Sequence, residues 1–87
     1  MRESRIEKKV GDYAKANGWL VFKFTGRKGV PDRIFIKDGK IFFVEFKAPG
    51  KLPTELQKRI HDKIRAQGGT VFVIDNIEEG YKIVDSQ

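Results

Sequence analysis

Apolar and polar residues recur along the chain with two different periods, and each change of period marks an element. From Arg2 to Asn17, Ile6, Val10, Tyr13 and Ala14 fall at helical spacing with Lys8, Lys9, Asp12 and Lys15 on the other side. This predicts an amphipathic helix that ends at Asn17-Gly18. Period two follows: Trp19 to Phe24 reads as a strand, with Leu20, Phe22 and Phe24 on one face and Trp19, Val21 and Lys23 on the other. The runs on either side of Asp38-Gly39 read as two more strands, because that dipeptide suits the type I′ turn of a two-residue hairpin. Thr54-Glu55-Leu56-Gln57 has capping-box spacing and opens a second helix with Leu56, Ile60 and Ile64 as its buried stripe and Gly68-Gly69 as its end. Thr70 to Asp75 is almost continuously apolar, as expected of a strand covered on both faces and reached by a right-handed crossover. Asn76 to Gln87 predicts no more than a short helical turn beginning near Asn76, since Gly80 weakens it. The expected fold class is α/β, a small mixed β-sheet flanked by helices in the order α-β-β-β-α-β.

The hairpin carries the candidate chemistry. With Asp38 and Gly39 as the loop, Lys37 lies opposite Lys40, and the register runs back through Ile36 with Ile41, Phe35 with Phe42, Ile34 with Phe43 and Arg33 with Val44. The next pair is Asp32 with Glu45, and directly opposed side chains hold their Cβ atoms about 4.5–5.5 Å apart. Two like charges there are unfavourable unless a cation lies between them. Lys47 falls on the face of Glu45, about 6.6 Å further along at ~3.3 Å per residue. Upstream, Thr25 to Val30 forms a glycine-bounded basic loop in which Arg27 and Lys28 are placed to follow a phosphate backbone. Pro31 favours an extended Val30 and begins a strand without needing a ladder donor. Gln57 reads as the third residue of the capping box, and His61, one turn on, either flanks the site or is exposed, exposure being the favoured reading. Glu7 lies on the border of the buried face of the first helix.

Composition narrows the chemistry further. A chain of 87 residues is expected to form one domain with a thin core. It contains no cysteine and a single histidine, His61, so thiolate zinc sites, disulfides and multi-histidine metal sites are excluded. Any metal would be held by oxygen ligands, which points to Mg²⁺ or Mn²⁺. The net charge of +6 favours a polyanionic partner such as nucleic acid. No apolar run is long enough to span a membrane, and the polar start lacks the apolar core of a signal peptide. The expectation is an intracellular, cytoplasmic protein, encoded by a phage or a bacterium.

Pro31-Asp32 followed by Glu45-Phe46-Lys47 resembles the split signature of the PD-(D/E)xK nucleases. The stronger resemblance is to their virus-type replication-repair branch, the VRR-NUC domain. It is carried by Gly29-Val30-Pro31-Asp32, by Phe46-Lys47-Ala48-Pro49-Gly50 with Gln57 following, and by Arg65-Ala66-Gln67-Gly68-Gly69. The likeness runs from about Ile6 to Ile77, so residues 1–87 are expected to be one VRR-NUC-like nuclease domain with a restriction-endonuclease-like fold. The resemblance implies a metal-dependent endodeoxyribonuclease using Mg²⁺ or Mn²⁺. Asp32 and Glu45 would be metal ligands, with the Phe46 backbone carbonyl as a further ligand. Lys47 would be the catalytic lysine, Glu7 the helix-borne acid assisting the metal through water, and Gln57 a residue orienting water or substrate. Arg27, Lys28, Lys23 and Lys51 would contact DNA. Some stand-alone domains of this branch are junction resolvases, which extends the expectation to a homodimer acting on branched DNA, with a four-way junction as best candidate and Tyr13, Trp19 and Val21 as its apolar contacts. The alternatives are a monomeric flap or end nuclease, a non-catalytic nucleic-acid-binding module, and a structural protein whose paired acids hold a stabilising cation. Neither of the last two uses both the acids and Lys47.

Overall fold

The computed structural model describes residues 1–87. The elements are α1 (Glu3–Ala16), β1 (Leu20–Lys23), β2 (Arg33–Lys37), β3 (Lys40–Phe46), α2 (Glu55–Ala66), β4 (Val71–Ile74) and α3 (Ile77–Ser86). The strands form one mixed sheet in the order β1-β2-β3-β4, antiparallel up to β3 and parallel between β3 and β4. No helix is long and apolar enough to cross a membrane.

Turn chemistry sets the register. Asp38 and Gly39 both take positive φ, 50° and 79°, as a type I′ turn requires. The ladder from Lys37↔Lys40 to Arg33↔Val44 follows the expected register. It stops there. Asp32 continues beside β3 without forming a pair with Glu45: its N–H donates to the Val44 carbonyl at 2.9 Å, while its side chain reaches the next free donor along the strand.

Strand alternation then divides the side chains into two layers. Phe35, Phe42, Val44, Phe46 and Ile74 project from one face into a core closed by Ile6, Val10 and Ala14 of α1 and Val84 of α3. Trp19 belongs to the same core, with its ring edge-on to Phe42 at 5.1 Å between centroids. The other face is covered by α2 toward β3 and β4, where Ile60, His61, Glu45 and Val71 are buried. Towards β1 it is open. Leu20, Phe22 and Ile41 are 55%, 52% and 53% exposed there, and β1 leaves one edge of the sheet unpaired.

Three expectations are corrected and one is met. The tail is a ten-residue helix, capped by the Asn76 side chain, which accepts from Glu79 N–H at 2.8 Å. Gly80 costs it some propensity without breaking it, because the missing side chain lets α3 lie against α1. β4 is covered on both faces as expected, by α2 where Val71 is buried and by α3 where Ile74 is buried, although Val73 is exposed. His61 is buried. Tyr13, Trp19 and Val21 do not form an open apolar face: Trp19 is in the core, Val21 packs against it, and Tyr13 stacks on Tyr81 at 4.1 Å while donating to Asp85 at 2.7 Å.

A Cβ added at Gly80 would lie 2.4 Å from Val10 Cγ2, on a stiff β-branched side chain inside a helix. Gly80→Ala gains up to about 1 kcal/mol of helix propensity, against about 1–3 kcal/mol for overpacking. Urea unfolding is therefore expected to show a net loss of stability, whereas the same substitution at an open helix position would show a gain.

Candidate active site

Three loops and one helix start meet at the end of the sheet where β2 begins and β3 finishes. Asp32 is fixed there by its backbone and its side chain together. Phe24 N–H donates to its carbonyl at 2.9 Å, and its carboxylate Oδ2 accepts from Phe46 N–H at 2.7 Å. Since Phe43 and Lys47 direct their N–H groups to Thr70 and Ile74 on the β4 side, Phe46 turns its own backbone polar groups toward Asp32. Gly29 brings the preceding loop over this point. It has φ of 93°, and a Cβ there would lie 2.9 Å from Leu56 Cγ and 3.0 Å from Ile60 Cγ1 of α2.

Glu45 is only 2% exposed. Its Oε2 accepts from Gln57 Nε2 at 3.3 Å, and its Oε1 faces His61 Nε2 at 3.4 Å. Gln57 is held for this by the helix cap: its Oε1 accepts from Thr54 N–H at 2.9 Å, while its own N–H donates to Thr54 Oγ1 at 3.2 Å. Cap and site contact therefore use the two different atoms of one amide. Burial, and then the Asp32 carboxylate beside it, push the Glu45 carboxyl up to about 8; Lys47 works in the opposite sense. Two carboxyls that resist simultaneous ionisation are a donor set suited to a hard cation.

The acid on α1 that responds to this pair is Glu3. Its carboxyl is raised by burial and then by the charge of Asp32, and is lowered by Lys47. Glu7, one turn further, lies over the opposite face of the sheet, where its Oε2 accepts from Arg33 Nε at 2.6 Å. Alternation explains the split, since Asp32 and Arg33 are neighbours that project to opposite faces. Lys47 follows Glu45 by two residues, and its charge acts on Glu3, Glu45 and His61. Burial, and then the charge of Arg65, push the His61 imidazole below its ordinary value. Lys23, Arg27, Lys28 and Lys51 are exposed, form no ion pair, and sit at this same end of the sheet.

The structure thus brings Asp32, Glu45, Lys47 and Gln57 together and sets Glu7 against Arg33. The sequence reading missed Glu3 and the burial of His61. The available signals were helical: Glu3 precedes Glu7 by one turn, and His61 follows Gln57 by one turn and adjoins Ile60. No group of three or more His, Cys, Asp or Glu side chains is arranged to hold a metal ion, so a cation here would rest on the Asp32–Glu45 pair and backbone oxygen. That is within the usual Mg²⁺ pattern of one or two protein carboxylates completed by water and substrate phosphate.

A mixed four-stranded sheet between helices, with an acid pair and a lysine at its open end, defines a restriction-endonuclease-like nuclease fold, a class that generally works with divalent metals. The comparisons sharpen this. A solved structure described as "VRR_NUC domain" superposes with a TM-score of 0.84 and 32% identity, covering 95% of this chain and 94% of the other. A curated relative, "Putative nuclease p44" of Acyrthosiphon pisum secondary endosymbiont phage 1, is 44% identical over 79 residues, 87% of this chain and 85% of its own length. No protein-family model matches. The chain belongs to the VRR-NUC nuclease family.

The raised Glu45 carboxyl has a consequence for stability. Between about 4.5, its ordinary value, and about 8, the folded protein retains a proton that the unfolded chain has released. Folding stability contributed by that proton is complete below this window and is lost as pH rises through it, by up to about 1.4 kcal/mol per pH unit. Metal-free protein is expected to melt at falling temperature from pH 5 to pH 8, and Glu45→Gln to flatten that slope. An unchanged slope in the variant would assign the effect elsewhere.

Proposed function

We propose that this nuclease hydrolyses DNA phosphodiester bonds internally, with a divalent cation held by Asp32 and Glu45 and a further oxygen from the Phe46 carbonyl. The observation that carries the reading is the placement of one buried and one strand-clamped carboxylate side by side, with Lys47 on the same face and four unpaired basic residues around them. Mg²⁺ or Mn²⁺ fits this donor set and, when bound, supplies Lewis acidity toward the phosphate and acidifies water. The chain's own residues do the rest. Lys47 places an ammonium against the charge that develops as water oxygen bonds to phosphorus and the ester P–O bond breaks. Gln57 holds Glu45 through its Nε2 and lies beside the path of water or substrate. Glu3 is the helix acid whose carboxyl is raised by burial and then by the charge of Asp32, while Glu7 is tied to Arg33. Arg27, Lys28, Lys23 and Lys51 bind backbone phosphates without reading sequence.

Branched DNA, with a four-way junction foremost, is the proposed substrate, and a two-fold dimer the proposed acting form. Support for a second copy comes from the open sheet face at Leu20, Phe22 and Ile41 next to the unpaired edge of β1. A two-fold assembly would present two sites to a two-fold junction. Monomeric cleavage of flaps or ends is the competing reading, and capping of that face by another molecule would favour it.

One assay separates these readings: linear, nicked, flapped and four-way DNA with Mg²⁺, Mn²⁺ or EDTA, alongside size-exclusion light scattering. The expected result is metal-dependent paired cuts at the junction by a dimer. A monomer that trims linear ends and leaves junctions intact would overturn the substrate and the assembly together. In the same assay Asp32→Asn is expected to abolish cleavage while DNA binding persists, since removing a negative charge cannot weaken attraction to phosphate. Lys47→Ala should lower single-turnover cleavage by orders of magnitude at nearly unchanged affinity. Metal-dependent cutting by Asp32→Asn at the normal rate would refute the site.

A further inference from the structure

We infer that His61 is a positioning residue for Glu45, acting from α2 to hold the carboxylate in the orientation that meets a cation beside Asp32. The inference rests on the metal-site reading above and goes beyond it in assigning a residue that touches neither the reacting atoms nor the cation.

The bland account is a histidine that fills space in the stripe of Ile60 and Ile64. Burial argues against it, because an imidazole in a residue that is 1% exposed gives up most of its hydration, and an aliphatic side chain would fill the same space without that cost. The contact supplies the compensation. His61 Nε2 is 3.4 Å from Glu45 Oε1, and Gln57, one turn earlier, donates to Glu45 Oε2 at 3.3 Å. Both oxygens of one buried carboxylate therefore face α2. The two contacts do different work. Gln57 is already committed to the helix cap through Thr54, so its amide cannot turn to follow the carboxylate. His61 supplies the second fixed point, which stops rotation of the carboxylate about the first. With each oxygen engaged once from α2, the remaining lone pairs are left for the Asp32 side. Both contacts are long. Outer partners of this kind typically govern 10–100-fold in metal affinity.

The test is calorimetric titration of Mn²⁺ into the full chain without DNA, for the unaltered protein, His61→Gln and His61→Leu, each checked for folding by circular dichroism. Glutamine places a donor close to the position of Nε2, whereas leucine fills the space and donates nothing. The expected result is that His61→Leu weakens Mn²⁺ binding by about 10–100-fold and that His61→Gln recovers most of it. Raising Mn²⁺ should then bring DNA cleavage by His61→Leu back toward the unaltered rate, a split that loss of packing alone would not produce. If His61→Leu does not fold, His61→Asn takes its place, since its shorter amide stays polar but falls short of Glu45. Unaltered Mn²⁺ affinity in folded His61→Leu, or equal loss in His61→Leu and His61→Gln, would overturn the role of His61 while leaving the site intact. Failure of the unaltered protein itself to bind Mn²⁺ would instead overturn the metal-site reading, and this inference with it.

Discussion

Two carboxyls are forced together at the end of a hairpin, one of them taken out of water, and much of the surrounding structure manages that arrangement. Asp32 is clamped by a strand N–H, Glu45 is backed by two polar side chains of α2, and Lys47 lowers the proton affinity of both Glu45 and Glu3. Left alone the pair is unfavourable, because burial and mutual repulsion act in the same direction on Glu45. A fold that holds such a pair rigidly has stored a local cost that a cation removes. Rigidity comes from the hairpin, since a one-residue slip in its register would send Glu45 to the aromatic core face and Phe46 to the site.

The two layers of the domain divide the labour. The face packed by α1 and α3 is almost wholly aliphatic and aromatic, with no polar side chain among its ten core residues, and it supplies cohesion. The face under α2 is smaller and mixed, and it supplies chemistry. Gly80 and Gly29 serve one layer each. The first lets two helices approach, and the second lets the loop before Pro31-Asp32 press against Leu56 and Ile60.

The hairpin was legible in the sequence because Asp38-Gly39 fixes both turn type and register, and that register runs to Arg33↔Val44, one step short of the acids; Asp32 reaches Phe46 N–H instead of pairing with Glu45. Gln57 was legible for a related reason, since a capping box fixes an amide at a known helix position. What could not be read depends on how helices sit against the sheet. The period of α1 identifies Glu3 and Glu7 as sharing a side, but only the packed helix shows that the charge of Asp32 is felt by Glu3 of its first turn while Glu7 of its second meets Arg33. Ile60 and Ile64 gave the stripe of α2 too narrow a width, because a buried carboxylate calls for polar partners that a hydrophobic pattern does not register. Tyr13 was misread as surface for the converse reason: the tail was not recognised as a full helix, so Tyr81 was not available as a partner.

The central claim is that Asp32 and Glu45 form a single divalent-cation site on this chain. Paramagnetic line broadening by substoichiometric Mn²⁺, followed residue by residue on amide-labelled protein, tests it most directly. The account predicts that signals of Asp32, Glu45, Phe46 and Lys47 vanish first, with those around Gln57 next and those along Leu20 and Ile41 unaffected. Broadening centred on the exposed acids of α3, Glu78 and Glu79, with the hairpin end left sharp, would contradict it.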